Sequence, residues 1–244
     1  MRHIHVIGIG AGDPDYVTYQ AIRALNDTQV FFAMDKGEAK SDLVGQRREI
    51  CRRFIDDPDY RFVELADPPR SADGDYVNAV AEWHTARARL WANAIRDELG
   101  PDGVGAFLAW GDPSLYDSTL RILDQVSEHV DISYDVIPGV TAIQALTARH
   151  RIPLNDVGEP VLITTGRQLR EKGLTGAAVV MLDGDCAFLG CAPQTQIWWG
   201  AYLGTPDEIL VAGTVGEVGE GIAELRAEAR ARHGWIMDTY LLRP

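Results

Sequence analysis

Two Gly-Asp-Pro turns, each closing an apolar run, limit the folds open to this chain more than any other feature. The first run is Val6-Ile7-Gly8-Ile9-Gly10-Ala11-Gly12-Asp13-Pro14, and the second is Val104-Gly105-Ala106-Phe107-Leu108-Ala109-Trp110-Gly111-Asp112-Pro113. Each reads as a buried strand that stops abruptly, its glycines letting the main chain turn and come close to something. Helical spacing follows both: Val17, Ala21, Ile22 and Leu25 after the first, Leu115, Leu120, Ile122 and Leu123 after the second. Two such strand–turn–helix units imply a small molecule held by backbone groups at strand ends. Asp13-Pro14 also reads as a helix start, because Asp caps free N–H groups and Pro suits the first turn.

Strand candidates at 3–9, 28–34, 62–65 and 105–110, with a helix over 76–99 stopped by Gly100-Pro101-Asp102-Gly103, predict a first domain over residues 1–133. Alternating strands and helices call for a mostly parallel sheet covered on both faces. Residues 35–75 carry many charges and Asp-Pro turns, and read either as a solvated surface excursion or as a basic rim over a site. A second domain, 134–244, has strand candidates at 134–137, 161–165, 177–182, 196–202, 209–214 and 235–242, with a helix carrying Ile222 and Leu225 before the last. Strands outnumber helices there, which predicts a mixed sheet. The expected fold class is α/β with two domains.

Apolar residues make up 46% of the 244, enough for a core. No apolar run approaches the ~18–20 residues of a membrane helix. The N-terminus enters a strand at once, without a signal-peptide pattern, so a cytoplasmic protein with no membrane partner is expected. Cys51, Cys186 and Cys191 form no CxxC, and no metal site is expected; reduced thiols suit the cytoplasm. A net charge of −13 argues against nucleic acid as a partner. Gly8-x-Gly10-x-Gly12 invites a dinucleotide reading, with Asp35 posing as the ribose-binding acid. That fingerprint needs a glycine where Asp13 stands.

Taken in order, Gly8 to Asp13, Gly111-Asp112-Pro113, Pro138-Gly139-Val140-Thr141-Ala142, Val179-Val180-Met181 and Gly204-Thr205-Pro206-Asp207-Glu208 with Gly213-Thr214 resemble the motifs of the tetrapyrrole (corrin/porphyrin) methylases. The resemblance implies a two-domain α/β fold, with an N-terminal mostly parallel sheet, a C-terminal mixed sheet and an active site in the cleft between them. It implies S-adenosylmethionine as methyl donor, S-adenosylhomocysteine as product, a tetrapyrrole acceptor and a homodimer. It places the cofactor on Ala11, Trp110, Gly111, Asp112, Leu115, Thr141, Ala142, Met181, Ala212 and Gly213. Residues 110–119, 163–167 and 199–209 look most like the branch that methylates C-1 of a corrin precursor and releases a two-carbon unit as acetate. Branches acting on another ring carbon or on a modified histidine share the cofactor motifs, and a non-catalytic pigment carrier is the reading from another class.

A polycarboxylate acceptor calls for local positive charge, with Arg47, Arg48 and Arg167 as leading candidates beside Arg52, Arg53 and Arg170. Acetate release needs help for water at the acetyl carbonyl, and no Ser/His/Asp set is visible. Asp35, Asp117 and His150 are candidate bases, and Tyr116 is a candidate hydrogen-bond donor to a substrate carboxylate.

Overall fold

A computed structural model of the chain describes residues 1–35, 41–69 and 76–244, and the side chains of 35, 41–44 and 76–78 also lie outside the description. The chain divides into two compact units, one of Met1–Gly10 and Pro14–Val140, the other of Ala11–Asp13 and Thr141–Pro244.

The first unit runs β1 (Arg2–Gly8), α1 (Tyr19–Asp27), β2 (Val30–Asp35), α2 (Ser41–Phe54), β3 (Arg61–Ala66), α3 (Tyr76–Glu98), β4 (Val104–Ala109), α4 (Thr119–Val126) and β5 (Ile132–Ile137). Its five strands are all parallel, in the order β3-β2-β4-β1-β5. The strand period of two sorts the apolar residues onto two faces. Ile4, Val6, Phe32 and Phe107 pack with Trp91 and Ile95 of α3 and Ile122 of α4. Ile7, Phe31, Ala106 and Leu108 pack on the opposite side with Ala21 and Leu25 of α1 and Ile50 of α2. Covering on both faces is why these strands read as continuous apolar runs.

The structure corrects the sequence reading in three places. The stretch read as a surface excursion contains α2, which buries Ile50 and Cys51 while Arg52 and Arg53 stay exposed. Asp13-Pro14 starts only a single 3-10 turn, Pro14–Tyr16; α1 begins later, where Thr18 Oγ1 accepts from the Ala21 N–H at 3.1 Å. The boundary drawn between residues 133 and 134 falls inside β5. That strand pairs with β1, Tyr134 opposite Ile4, so its backbone bonds are satisfied in the first sheet and the first unit continues to Val140.

The second unit runs α5 (Ala142–His150), β6 (Leu162–Thr165), α6 (Gly166–Lys172), β7 (Ala178–Met181), β8 (Gln196–Ala201), β9 (Ile209–Thr214), α7 (Val215–His233) and β10 (Asp238–Arg243). Its sheet has the order β6-β7-β10-β8-β9, mixed as expected: β6 and β7 are parallel and the other pairs antiparallel. Phe188, Ile197, Trp199, Ile222 and Tyr240 form its core. Several side chains pair inside it: Tyr240 donates to Asp183 Oδ2 at 2.7 Å, while Arg226 Nε and Trp199 Nε1 donate to Asp238 Oδ2 at 3.0 and 2.9 Å. Burial still holds the Asp238 carboxyl above its usual range, against the pull of Arg226 and Trp199.

The three cysteines are unpaired, and burial pushes the Cys51 thiol up to about 12. Among the described residues no helix is long and apolar enough to cross a membrane.

Candidate functional site

β1 and β4 lie side by side, yet the chain leaves them in opposite directions: α1 leads to β2 on one flank and α4 to β5 on the other. Such a switch point opens a crevice at the carboxyl ends of the two strands, the usual ligand position in an open parallel sheet. Both Gly-Asp-Pro turns emerge there. Gly10 and Gly111 exchange two main-chain hydrogen bonds, at 3.2 and 2.9 Å, and Gly111 has φ +68°. The Pro138-Gly139 turn closes over them. A Cβ on Gly139 would overlap the Gly111 carbonyl oxygen and lie 2.8 Å from the Gly8 carbonyl carbon; one on Gly8 would lie 2.6 Å from the Gly139 nitrogen. Three backbones therefore cross where no side chain fits.

Asp112 ties this crossing together. Its Oδ2 accepts from the Gly139 N–H at 2.8 Å, and its Oδ1 accepts from the Ser114 N–H at 2.8 Å and from the Ser114 hydroxyl. Burial pushes this carboxyl up, but the bonds from Ser114 and Gly139 outweigh it and hold the group below the usual carboxylate range. Both oxygens are engaged within the protein, so Asp112 braces the turns. Tyr116, four residues on, is a non-glycine residue at φ +52°.

The other cofactor candidates are spread along both units. Ala11 is buried and Leu115 half-buried. Trp110 packs with Ile7 and Ile9 on the α1–α2 side. Thr141 caps α5, its Oγ1 accepting from the Ile143 N–H at 3.1 Å, and Ala142 is the first helical residue. Met181 ends β7 half-buried, whereas Ala212 is exposed and Gly213 half-buried on β9. Two strands, β10 and β8, separate β7 from β9 in the sheet.

Beside the crossing, at the carboxyl ends of β2 and β4, lies a cavity of about 200 Å³. Arg47, Tyr116 and Asp117, three residues singled out in the sequence, line it together. Arg47 donates through Nε to the Leu108 carbonyl oxygen at 3.0 Å. Burial pulls its pKa down, opposed by the Asp117 carboxylate. Asp117 Oδ1 accepts from the Thr119 N–H at 2.7 Å, fixing the start of α4. The opposite wall holds Trp83, Arg87 and Trp91, which the sequence reading missed. Arg87 makes a two-bond pair with Asp67, Nε to Oδ1 at 2.7 Å, and its guanidinium lies 3.7 Å over the Trp83 ring. Trp91 stacks on Phe107 at 4.1 Å. The available signal was an arginine at the middle of an i, i+4, i+8 stripe of tryptophans on one helix face.

The remaining candidates stand elsewhere. Arg48 pairs with Glu64 at 2.6 Å over the Phe62 ring, Arg52 with Glu49, Arg53 with Asp15 and Arg170 with Asp185. Arg167 is exposed beside Glu171. Arg48, Arg52 and Arg53 thus make surface ion pairs, and Arg47 alone of these arginines lines the cavity. Asp35 closes β2, and its side chain lies outside the described residues.

His150 ends α5 half-buried in the second unit, Nε2 standing 3.0 Å from the Trp199 carbonyl oxygen. Burial holds its pKa below the usual histidine value, against the Trp199 carbonyl and Glu208. The folded state therefore favours the neutral ring. Its contribution to stability is complete above the unfolded value of about 6.5 and is lost as pH falls through the lower folded value. Unfolding free energy should decline on acidification from about pH 7 to 5, and His150→Gln should flatten that slope. Equal slopes in the two proteins would contradict this placement.

A profile of the tetrapyrrole (corrin/porphyrin) methylases matches residues 3–219. A precorrin-6A synthase (deacetylating) from Sinorhizobium sp is 51% identical over 249 residues, covering 100% of this chain and 95% of that protein. A precorrin-2 C(20)-methyltransferase from the same source is 27% identical over 188 residues, covering 73% and 72% of the two chains. Among solved structures, the cobalamin synthesis related protein CobF from Corynebacterium diphtheriae superposes with a TM-score of 0.86 at 45% identity, covering 100% of this chain and 98% of its own. A uroporphyrin-III C-methyltransferase from Thermus thermophilus, complexed with S-adenosyl homocysteine, shares the fold at a TM-score of 0.64 and 19% identity, covering 99% and 92%.

Proposed function

Because this chain belongs to the tetrapyrrole (corrin/porphyrin) methylases and is an S-adenosylmethionine-dependent methyltransferase of cobalamin biosynthesis, we propose that it methylates C-1 of precorrin-5 and releases acetate to give precorrin-6A. The observation that carries the reading is the crossing of Gly8, Gly111 and Gly139 at the β1–β4 switch point, with the Arg47 cavity next to it.

The residues at the crossing fit the cofactor. Glycines leave main-chain atoms bare for close approach, and the Asp112 brace fixes their position before binding. When bound, S-adenosylmethionine supplies a methyl group already activated on a sulfonium. Gly111 and Leu115 are the proposed contacts in the first unit; Asp112 and Trp110 position the turn. The main chain there has to align donor and acceptor carbon, the new C–C bond forming as the C–S bond breaks.

The cavity suits the part of the acceptor that departs. Arg47 is a desolvated cation poised to hold a carboxylate or the oxygen of an acetyl carbonyl under attack. Tyr116 can donate a hydrogen bond from the rim. Asp117 has one oxygen committed to the Thr119 N–H and can use the other to take a proton from water. Water adds to the carbonyl carbon, the bond to the ring carbon breaks, and acetate leaves with the hydroxyl oxygen. Exposed Arg48 and Arg167 sit outside this cavity and are proposed only as long-range attraction for a polyanion.

Purified protein supplied with precorrin-5 and methyl-labelled S-adenosylmethionine should put one label into the pigment per acetate released. Label without acetate would move the enzyme to another ring carbon. Cofactor binding without label in the pigment would favour the branch that modifies a histidine in a protein. We place the enzyme in the cytoplasm as a homodimer, and a sedimentation mass of one chain would remove the dimer.

A further inference from the structure

β1 carries a second pattern besides the turn it leads into. His3 and His5 are two residues apart, so the strand places both imidazoles on one face, where the rings meet edge to face at 4.7 Å. Parallel pairing with β5 sets Ser133 beside His3 and Asp135 beside His5. His3 Nδ1 is 2.8 Å from Ser133 Oγ, and His5 Nε2 is 3.3 Å from Oδ2 of Asp27, the last residue of α1. The other nitrogen of each ring turns to one place. His3 Nε2 and His5 Nδ1 stand 3.5 and 2.6 Å from Asp135 Oδ1. Donor atoms of these three residues all lie within 4.8 Å of one another.

We propose that His3, His5 and Asp135 bind a divalent first-row transition cation, zinc by donor chemistry. Two imidazole nitrogens and one carboxylate oxygen suit zinc, whereas magnesium and calcium favour oxygen alone. The surrounding hydrogen bonds have the pattern of an outer shell: in each histidine one nitrogen is held by Ser133 or Asp27, which fixes the ring and directs the second nitrogen inward. Three protein donors leave the fourth position of a tetrahedron to water. Bound there, the ion cross-links β1 to the edge strand β5. No ligand cluster is legible in the sequence, because the third donor arrives through strand pairing from residue 135.

The test uses the full chain without an N-terminal tag, stripped with a chelator and titrated with Zn²⁺ by calorimetry. One ion per chain is expected, with a raised unfolding temperature and no displacement by excess Mg²⁺. His3→Gln and Asp135→Asn, both at partly exposed positions, should abolish stoichiometric binding while leaving S-adenosylmethionine affinity unchanged. Ser133→Ala should weaken zinc about 10-fold by freeing the His3 ring. Absence of stoichiometric binding, displacement by Mg²⁺, or equal binding by wild type, His3→Gln and Asp135→Asn would each overturn the proposal.

Discussion

Gly139→Ala is expected to destabilise the protein by about 3 kcal/mol, the upper range for overpacking, and to weaken S-adenosylmethionine at least ~10-fold. The new methyl group would meet the Gly111 carbonyl and the Gly8 backbone, which belong to two other strand ends. No flexible side chain is there to swing aside, so the turns themselves must separate. Gly176→Ala is the control, because a Cβ there meets nothing within 4 Å; a change within ~0.5 kcal/mol is expected. Urea denaturation and calorimetric titration of the cofactor read the two effects. Unchanged cofactor affinity in Gly139→Ala would mean that the crossing is not the cofactor platform.

Arg47→Met should lower kcat/KM for precorrin-5 by about 10²-fold or more, since truncating a desolvated charge partner costs roughly 2–5 kcal/mol. Methionine keeps much of the stem, so the half-buried position stays filled. Cofactor affinity should be unaffected, and Arg47→Lys should not restore turnover, because lysine lacks the planar fork. Arg48→Met and Arg167→Met should stay within about twofold at moderate salt, their guanidinium groups being exposed and paired. Full activity in Arg47→Met would remove the cavity from the reaction.

Most of the strands were legible because both faces of the first sheet are covered, so β1, β2 and β4 read as plain apolar runs. α2 was hidden: among its described residues Ile50 and Cys51 are the buried ones, set among arginines and glutamates. The position of β5 could not be read, since its middle residues Tyr134, Asp135 and Val136 are exposed and say nothing about which sheet they join. The turns were legible through glycine, whereas the use of Asp112 as a brace depends on a contact 27 residues away. Two motif pieces have local explanations. Glu208 accepts from the Gly204 N–H at 2.9 Å to close its own turn, and Glu217 with Thr214 forms the capping box of α7. The cavity wall of Trp83, Arg87 and Trp91 could not be read, because nothing in a helix stripe tells a packed face from one bordering empty space.

The strand order of the second sheet has a consequence for synthesis. β10, made after every other strand of that sheet, inserts between β7 and β8. Until residues 238–243 leave the ribosome, the nascent chain can form only two separate ladders, β6 with β7 and β8 with β9. Each shows an open inner edge and the unburied flank of Val180 or Trp199. Such edges are templates for pairing with other chains. The second unit therefore passes through a window in which two inner edges stand open, and cleavage just before Asp238 should divide its sheet into halves and make it clump.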